Sequence, residues 1–100
     1  MPVVIHPRIE AKIGGDDHGN VTATEVHQCF ENHFDGYCMD SREKSKAHDS
    51  SLQTQWFVGE TNRRRRLKIV FVRDGADVHL KSAYLATPEI ERIYKKYKAC

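Results

Sequence analysis

Between Glu60 and Tyr84 the sequence gathers what phosphate chemistry needs: Glu60, Asn62, Arg63, Arg64 and Arg66, then Lys68, His79, Lys81 and Tyr84. Cutting RNA takes a base for the ribose 2′-hydroxyl, cations for the charge growing on the phosphate, and an acid for the departing oxygen. In that scheme Glu60 is the base, and Tyr84 or His79 is the acid. Lys68, Lys81 and Arg66 hold the scissile phosphate, and Asn62, Arg63 and Arg64 extend the cationic surface. Asp40 and Arg42, on the preceding strand or loop, orient the reacting groups. Each residue also has a structural reading. His79 fits a surface histidine, Tyr84 a buried ring with its hydroxyl at the rim, and Glu60 a counter-charge for the arginine run.

These residues need a scaffold, and Asp74-Gly75 predicts one. As the two central residues of a tight hairpin turn they set Arg73 opposite Ala76. The register that follows pairs Phe71 with Val78, Ile69 with Leu80 and Leu67 with Ser82 on an apolar face. The other face pairs Val70 with His79, Lys68 with Lys81 and Arg66 with Ala83. Like charges directly opposite each other destabilise a hairpin. A phosphate bound between Lys68 and Lys81 would remove that cost.

The charge is divided along the chain. Met1 to Thr61 carries five Lys/Arg against ten Asp/Glu, and Asn62 to Cys100 carries eleven against four. A strongly charged partner, above all a polyanion, suits the basic half. One hundred residues make one domain, 1–100. No apolar run reaches the length of a membrane helix and Met1 to Ile5 is too short for a signal peptide, so a cytoplasmic protein with no membrane partner is expected. Cys29, Cys38 and Cys100 form no disulfide framework and read as free thiols. With no Cys-x-x-Cys pair and with His27 and Cys29 on different sides of a helix, neither a metal nor a cofactor is expected.

The elements around the hairpin are marked by their ends. Pro7 opens a short helix that carries Ile9 and Ile13 and stops at Gly14-Gly15. Asp16 to Asn20 is turn chemistry. Thr22 and Glu25 form a capping box ahead of Val26, Cys29 and Phe30, and Asp35-Gly36 ends that helix. A short strand near Tyr37 to Asp40 leads into a polar segment reaching Gln55, expected to be a long mobile loop. Trp56 begins a further strand that runs to about Thr61. Thr87 and Pro88 start a last helix whose Ile90, Ile93, Tyr94 and Tyr97 should pack on the sheet. The order gives an α+β domain: N-terminal helices, an antiparallel three- to four-stranded meander and a C-terminal helix.

The stretch Arg66 to Val72, the junction Ser82-Ala83-Tyr84-Leu85-Ala86-Thr87, and Tyr94 resemble the C-terminal half of BrnT-type toxins, over roughly residues 54–97. These are small ribonucleases of the RelE-like superfamily, found in bacterial toxin–antitoxin pairs. The resemblance implies a RelE-like fold and a metal-independent endoribonuclease. It also implies RNA as substrate, ribosome-bound mRNA included, and a cognate antitoxin protein as partner. The chain departs from the pattern at Tyr84, where those toxins carry arginine, so Lys81 or the Arg63–Arg66 run must supply that charge. Gln55 to Asn62 also resembles small bacterial proteins of which some are described as ADP-ribosyl hydrolases. Two alternatives therefore stand beside the ribonuclease: a non-catalytic RNA- or protein-binding module on the same fold, and a nucleotide or ADP-ribose hydrolase.

Overall fold

The computed structural model describes residues 2–33, 35–44 and 52–98, apart from the side chains of 40–44. In chain order the elements are β1 (Val3–Val4), α1 (Pro7–Ile13), a 3₁₀ turn at Asp16–His18, α2 (Ala23–Asn32) and β2 (Cys38–Lys44). Then come β3 (Gln53–Glu60), β4 (Arg66–Asp74), β5 (Asp77–Leu85) and α3 (Pro88–Tyr97). The helix ends follow from local chemistry. Pro7 starts α1 and Gly14 caps it. At α2 the Thr22 hydroxyl accepts from the Glu25 amide at 3.1 Å, and the Glu25 carboxylate accepts from the Thr22 amide, also at 3.1 Å. Thr87 caps α3 by accepting from the Ile90 amide, with Pro88 as first residue.

The five strands form one sheet in the order β1-β5-β4-β3-β2. From β2 to β5 it is an antiparallel meander, and β1 joins β5 in parallel through Val3↔Val78 and Val4↔His79. The fold is α+β, as the sequence implies, with one parallel edge strand that the sequence reading lacks.

Opposite residues on neighbouring strands share a face, so the register sorts the side chains. Phe57, Ile69, Leu67, Phe71 and Ala83 fall on one face and are fully buried beneath α1 and α2. Phe30 of α2 meets Phe57 and Phe71 edge-on, with ring centres 5.0 and 5.5 Å apart. Gly59 lies where α2 presses closest; a Cβ there would sit 2.9 Å from Cβ of Cys29 and 2.7 Å from the Phe57 ring. The opposite face carries Cys38, Trp56, Val58, Lys68 and Tyr84, with α3 laid across it through Tyr94 and Trp56.

The hairpin register differs from the expected one. Asp74 pairs with Asp77, so the central residues are Gly75 and Ala76, and only Gly75 has positive φ (63°). That is the II′ arrangement, which needs glycine only at the first central position. Phe71 then faces Leu80, and a bulge follows: the next pair is Val70↔Ser82, leaving Lys81 outside the ladder. Lys68 faces Tyr84 and not Lys81, so the like-charge repulsion that suggested a bound phosphate is absent. The bulge also reverses the alternation of β5. Ala83 enters the core in place of Ser82, and Tyr84 turns to the face of Lys68.

Other expectations shift by smaller amounts. The second helix ends at Asn32, before Asp35-Gly36. The strand expected near Tyr37 to Asp40 runs to Lys44, and β3 starts at Gln53, so the long-loop expectation narrows to 45–51, outside the described residues. On α3, Tyr94 is buried and Ile90 partly so, whereas Ile93 is 38% and Tyr97 62% exposed. A ten-residue helix crossing a sheet face buries a narrower stripe than its apolar positions offer.

Candidate functional site

The face under α3 holds two charged rows at one end of the sheet. In the outer row Glu60 lies opposite Arg66. Arg66 is forked between two carboxylates: Nη1 is 3.7 Å from Glu60, while Nη2 and Nε are 2.9 and 3.0 Å from Glu91 of α3. In the next row Val58, Lys68 and Tyr84 lie side by side across β3, β4 and β5. The Lys68 ammonium sits 4.5 Å from the Trp56 ring centre and 5.5 Å from that of Tyr84. A cation held over aromatic faces keeps its charge available for an anion on its remaining side. A cavity of about 390 Å³ opens beside these rows, lined by Asn32, His33, Val58, Glu60, Arg66 and Tyr94 among others.

Arg63, Arg64 and Arg65 of the run lie on the five-residue connection from β3 to β4, Arg66 being the first residue of β4, and their roles differ. Buried Thr61 organises the turn: its hydroxyl accepts from the amides of Arg63 and Arg65, and its own amide donates to the Arg65 carbonyl. Arg64 takes a left-handed backbone (φ 64°), which leaves it and Arg63 exposed at the tip. Asn62 is bound to α2, its amide to the Gln28 side chain and its carboxamide oxygen to Asn32. Arg65 is structural. It reaches both oxygens of Glu25, at 2.9 and 3.0 Å, and the carbonyls of Gly19 and Asn20.

The structure thus brings Glu60, Arg66, Lys68 and Tyr84 onto one face, with Arg63 and Arg64 on the adjoining loop. It does not bring His79 there. His79 pairs with Val72, six residues along β4 from Arg66 and so about 20 Å away at 3.3 Å per residue. It stacks instead on His6, ring centres 5.6 Å apart. Lys81 sits in the bulge, where its carbonyl accepts from Lys12 Nζ at 2.8 Å. Asp40 and Arg42 lie on β2, Asp40 opposite Thr54; their side chains are outside the described residues, and with them the orienting role.

Two histidines enter that the sequence reading did not select. His33, at the C-terminal end of α2, packs against Phe57 and Tyr37 with ring centres 4.2 and 4.8 Å away. Burial holds its imidazole below the ordinary histidine pKa, backbone hydrogen bonding at Gly36 and Asp35 offsetting part of this. His18, in the 3₁₀ turn, lies edge-on to Tyr84. No short-range signal marks His18, which packing between distant elements brings in, whereas helical spacing after Val26, Cys29 and Phe30 already puts His33 on the apolar side of α2. Cys29 and Cys38 are free and buried; burial pushes the Cys29 thiol up to about 12 and raises that of Cys38, so neither is an activated nucleophile. Cys100 lies outside the described residues.

Among the described residues no three His, Cys, Asp or Glu side chains cluster closely enough to hold a metal ion, and no helix is long and apolar enough to cross a membrane. The chain matches no protein-family profile, no curated protein and no solved structure. The site must therefore be read from its own geometry.

Proposed function

We propose that this chain is an endoribonuclease of the toxin kind, acting on RNA in the bacterial cytoplasm and neutralised by a cognate antitoxin. The observation that carries the reading is the grouping of Glu60, Arg66, Lys68 and Tyr84 on one face at one end of the sheet, beside exposed Arg63 and Arg64. RNA would approach over the arginine loop, with its scissile phosphate on Lys68 and Arg66. Glu60 would take the 2′-hydroxyl proton, and the leaving oxygen would be protonated on the Tyr84 side. Arg66 would exchange part of its contact with Glu60 or Glu91 for the phosphate.

The products decide. Cleavage by this route leaves 2′,3′-cyclic phosphate and 5′-hydroxyl ends with a chelator present. Glu60→Gln should slow it by about 10²–10⁴-fold while the protein stays folded. RNA left intact under these conditions would remove the catalytic reading. A non-catalytic RNA-binding module has one observation in its favour: Arg66 is already neutralised by two carboxylates. It would give a mobility shift without cleavage.

A further inference from the structure

The ribonuclease reading needs an acid near Lys68 and Tyr84, and His79 is at the wrong end of the sheet. We infer that His18, held by Asp17 and packed against Tyr84, is the proton donor to the leaving oxygen. The inference rests on the ribonuclease reading and names a residue that reading lacks.

Several observations converge on His18. Its ring meets the Tyr84 ring edge-on, centres 6.0 Å apart at 81°, and the Lys68 ammonium lies 5.5 Å from the same Tyr84 ring. Its Nδ1 is buried and lies 3.2 Å from the Asp17 carboxylate, an ion-pair contact short of an aligned hydrogen bond. A carboxylate placed at one ring nitrogen fixes the ring and leaves Nε2 to act. The same contact holds the Asp17 carboxyl below its ordinary range. The side chain of His18 keeps one-fifth of its surface open, although its Nδ1 is buried.

The turn that carries His18 is itself built to stay in place. Gly19 closes it with φ 93°, and a Cβ there would sit 2.6 Å from the Leu85 side chain, so the turn is pressed onto the end of β5. Arg65 clamps the carbonyls of Gly19 and Asn20 while anchored on Glu25. An arginine of the basic run is thus used to seat a histidine beside the basic face. The charged or titratable groups around the imidazole are Asp17 on its own turn, Tyr84 and then Lys68 on the sheet, and Arg65 on the loop.

The step balances. The 2′-oxygen bonds to phosphorus as the P–O5′ bond breaks; the 2′-proton passes to Glu60, and the imidazolium N–H proton passes to the 5′-oxygen. A 2′,3′-cyclic phosphate, a free 5′-hydroxyl and a neutral imidazole result. An imidazolium N–H is a stronger acid than a phenol O–H and so the better proton donor. Tyr84 then serves as the wall that positions the ring.

A leaving group that needs no proton separates chemistry from structure. His18→Gln should cut an ordinary RNA oligonucleotide about 10²–10⁴-fold more slowly than wild type. The same RNA with sulfur in place of the bridging 5′-oxygen should lose less than about tenfold, since a thiolate leaves unaided. In the wild type, the rate on ordinary RNA should fall at high pH as the proton donor is lost, and the sulfur substrate should lack that limb. Equal losses on both substrates, an unchanged rate in His18→Gln, or the same limb on both substrates would each overturn the assignment while leaving the ribonuclease reading intact. A wild-type protein that binds RNA and never cuts it would overturn both.

Discussion

The two faces of the sheet are made to different standards. Under α1 and α2, Phe30, Phe57, Leu67, Ile69, Phe71 and Ala83 interlock, all but Phe30 fully buried, and the charge enters at the rim, where exposed Arg73 stacks over Phe71 and Tyr37. Under α3, Trp56, Val58 and Tyr94 make a smaller apolar patch that shares its surface with Glu60, Arg66, Lys68, Tyr84 and Glu91. A short helix covers that face only in part and leaves Ile93 and Tyr97 in solvent. The difference separates two tasks. One face supplies stability, and the other gives up burial so that cations can stand on a rigid floor.

The largest test of that division is truncation on each face. Phe57→Ala removes a fully buried ring that touches Phe30, His33, Tyr37 and Phe71. It should cost about 3–5 kcal/mol in urea unfolding, and a loss below about 1 kcal/mol would show that the α2 face is not the main core. Lys68→Ala on the other face gives up only cation–aromatic contacts, worth about 0.5–1 kcal/mol. Its effect should appear in RNA binding instead, as a salt-dependence slope smaller by about one unit. An unchanged slope would take Lys68 out of the phosphate site.

The same contrast governs how much the sequence disclosed. Helix starts are local, so Thr22 with Glu25 and Thr87 with Pro88 could be read directly, and the strands from Trp56 onward follow from their β-branched and aromatic runs. Pairing is not local. Asp74-Gly75 fits two turn registers, and the choice rests on which residues the helices bury; the bulge at Lys81 moves Ala83 into the core and Tyr84 out of it. Tyr84 therefore reached the face of Lys68 by a route that alternation could not anticipate. Arg65 illustrates the same limit. Within a run of four arginines nothing distinguishes it, yet it alone turns inward to Glu25. His18 was invisible for a related reason, since it matters through Tyr84, far away in sequence.

The smallest effect, and the finest test of the comparison, is a dependence on pH at the edge of the apolar face. His33 is packed between Tyr37 and Phe57, and burial lowers its pKa in the folded protein. The unfolded chain, with a histidine near about 6.5, then binds more protons than the fold as the pH drops below that value. Stability is fully present above the unfolded pKa and is lost as pH falls through the window down to the lower folded value. The Asp35 carboxylate next to His33 is held ionised by Lys98, whose ammonium contacts it at 2.5 Å. Its own depressed pKa adds to the acid loss only at lower pH, in the carboxylate range. Replacing His33 by phenylalanine keeps an aromatic ring between Tyr37 and Phe57 and removes the titration. The wild type should therefore lose more melting temperature than His33→Phe as the pH falls from 7 towards 5, whichever is the more stable at pH 7. Parallel curves would mean that His33 stays as readily protonated in the fold as in the open chain, and that the aromatic cluster admits charge as freely as the α3 face does.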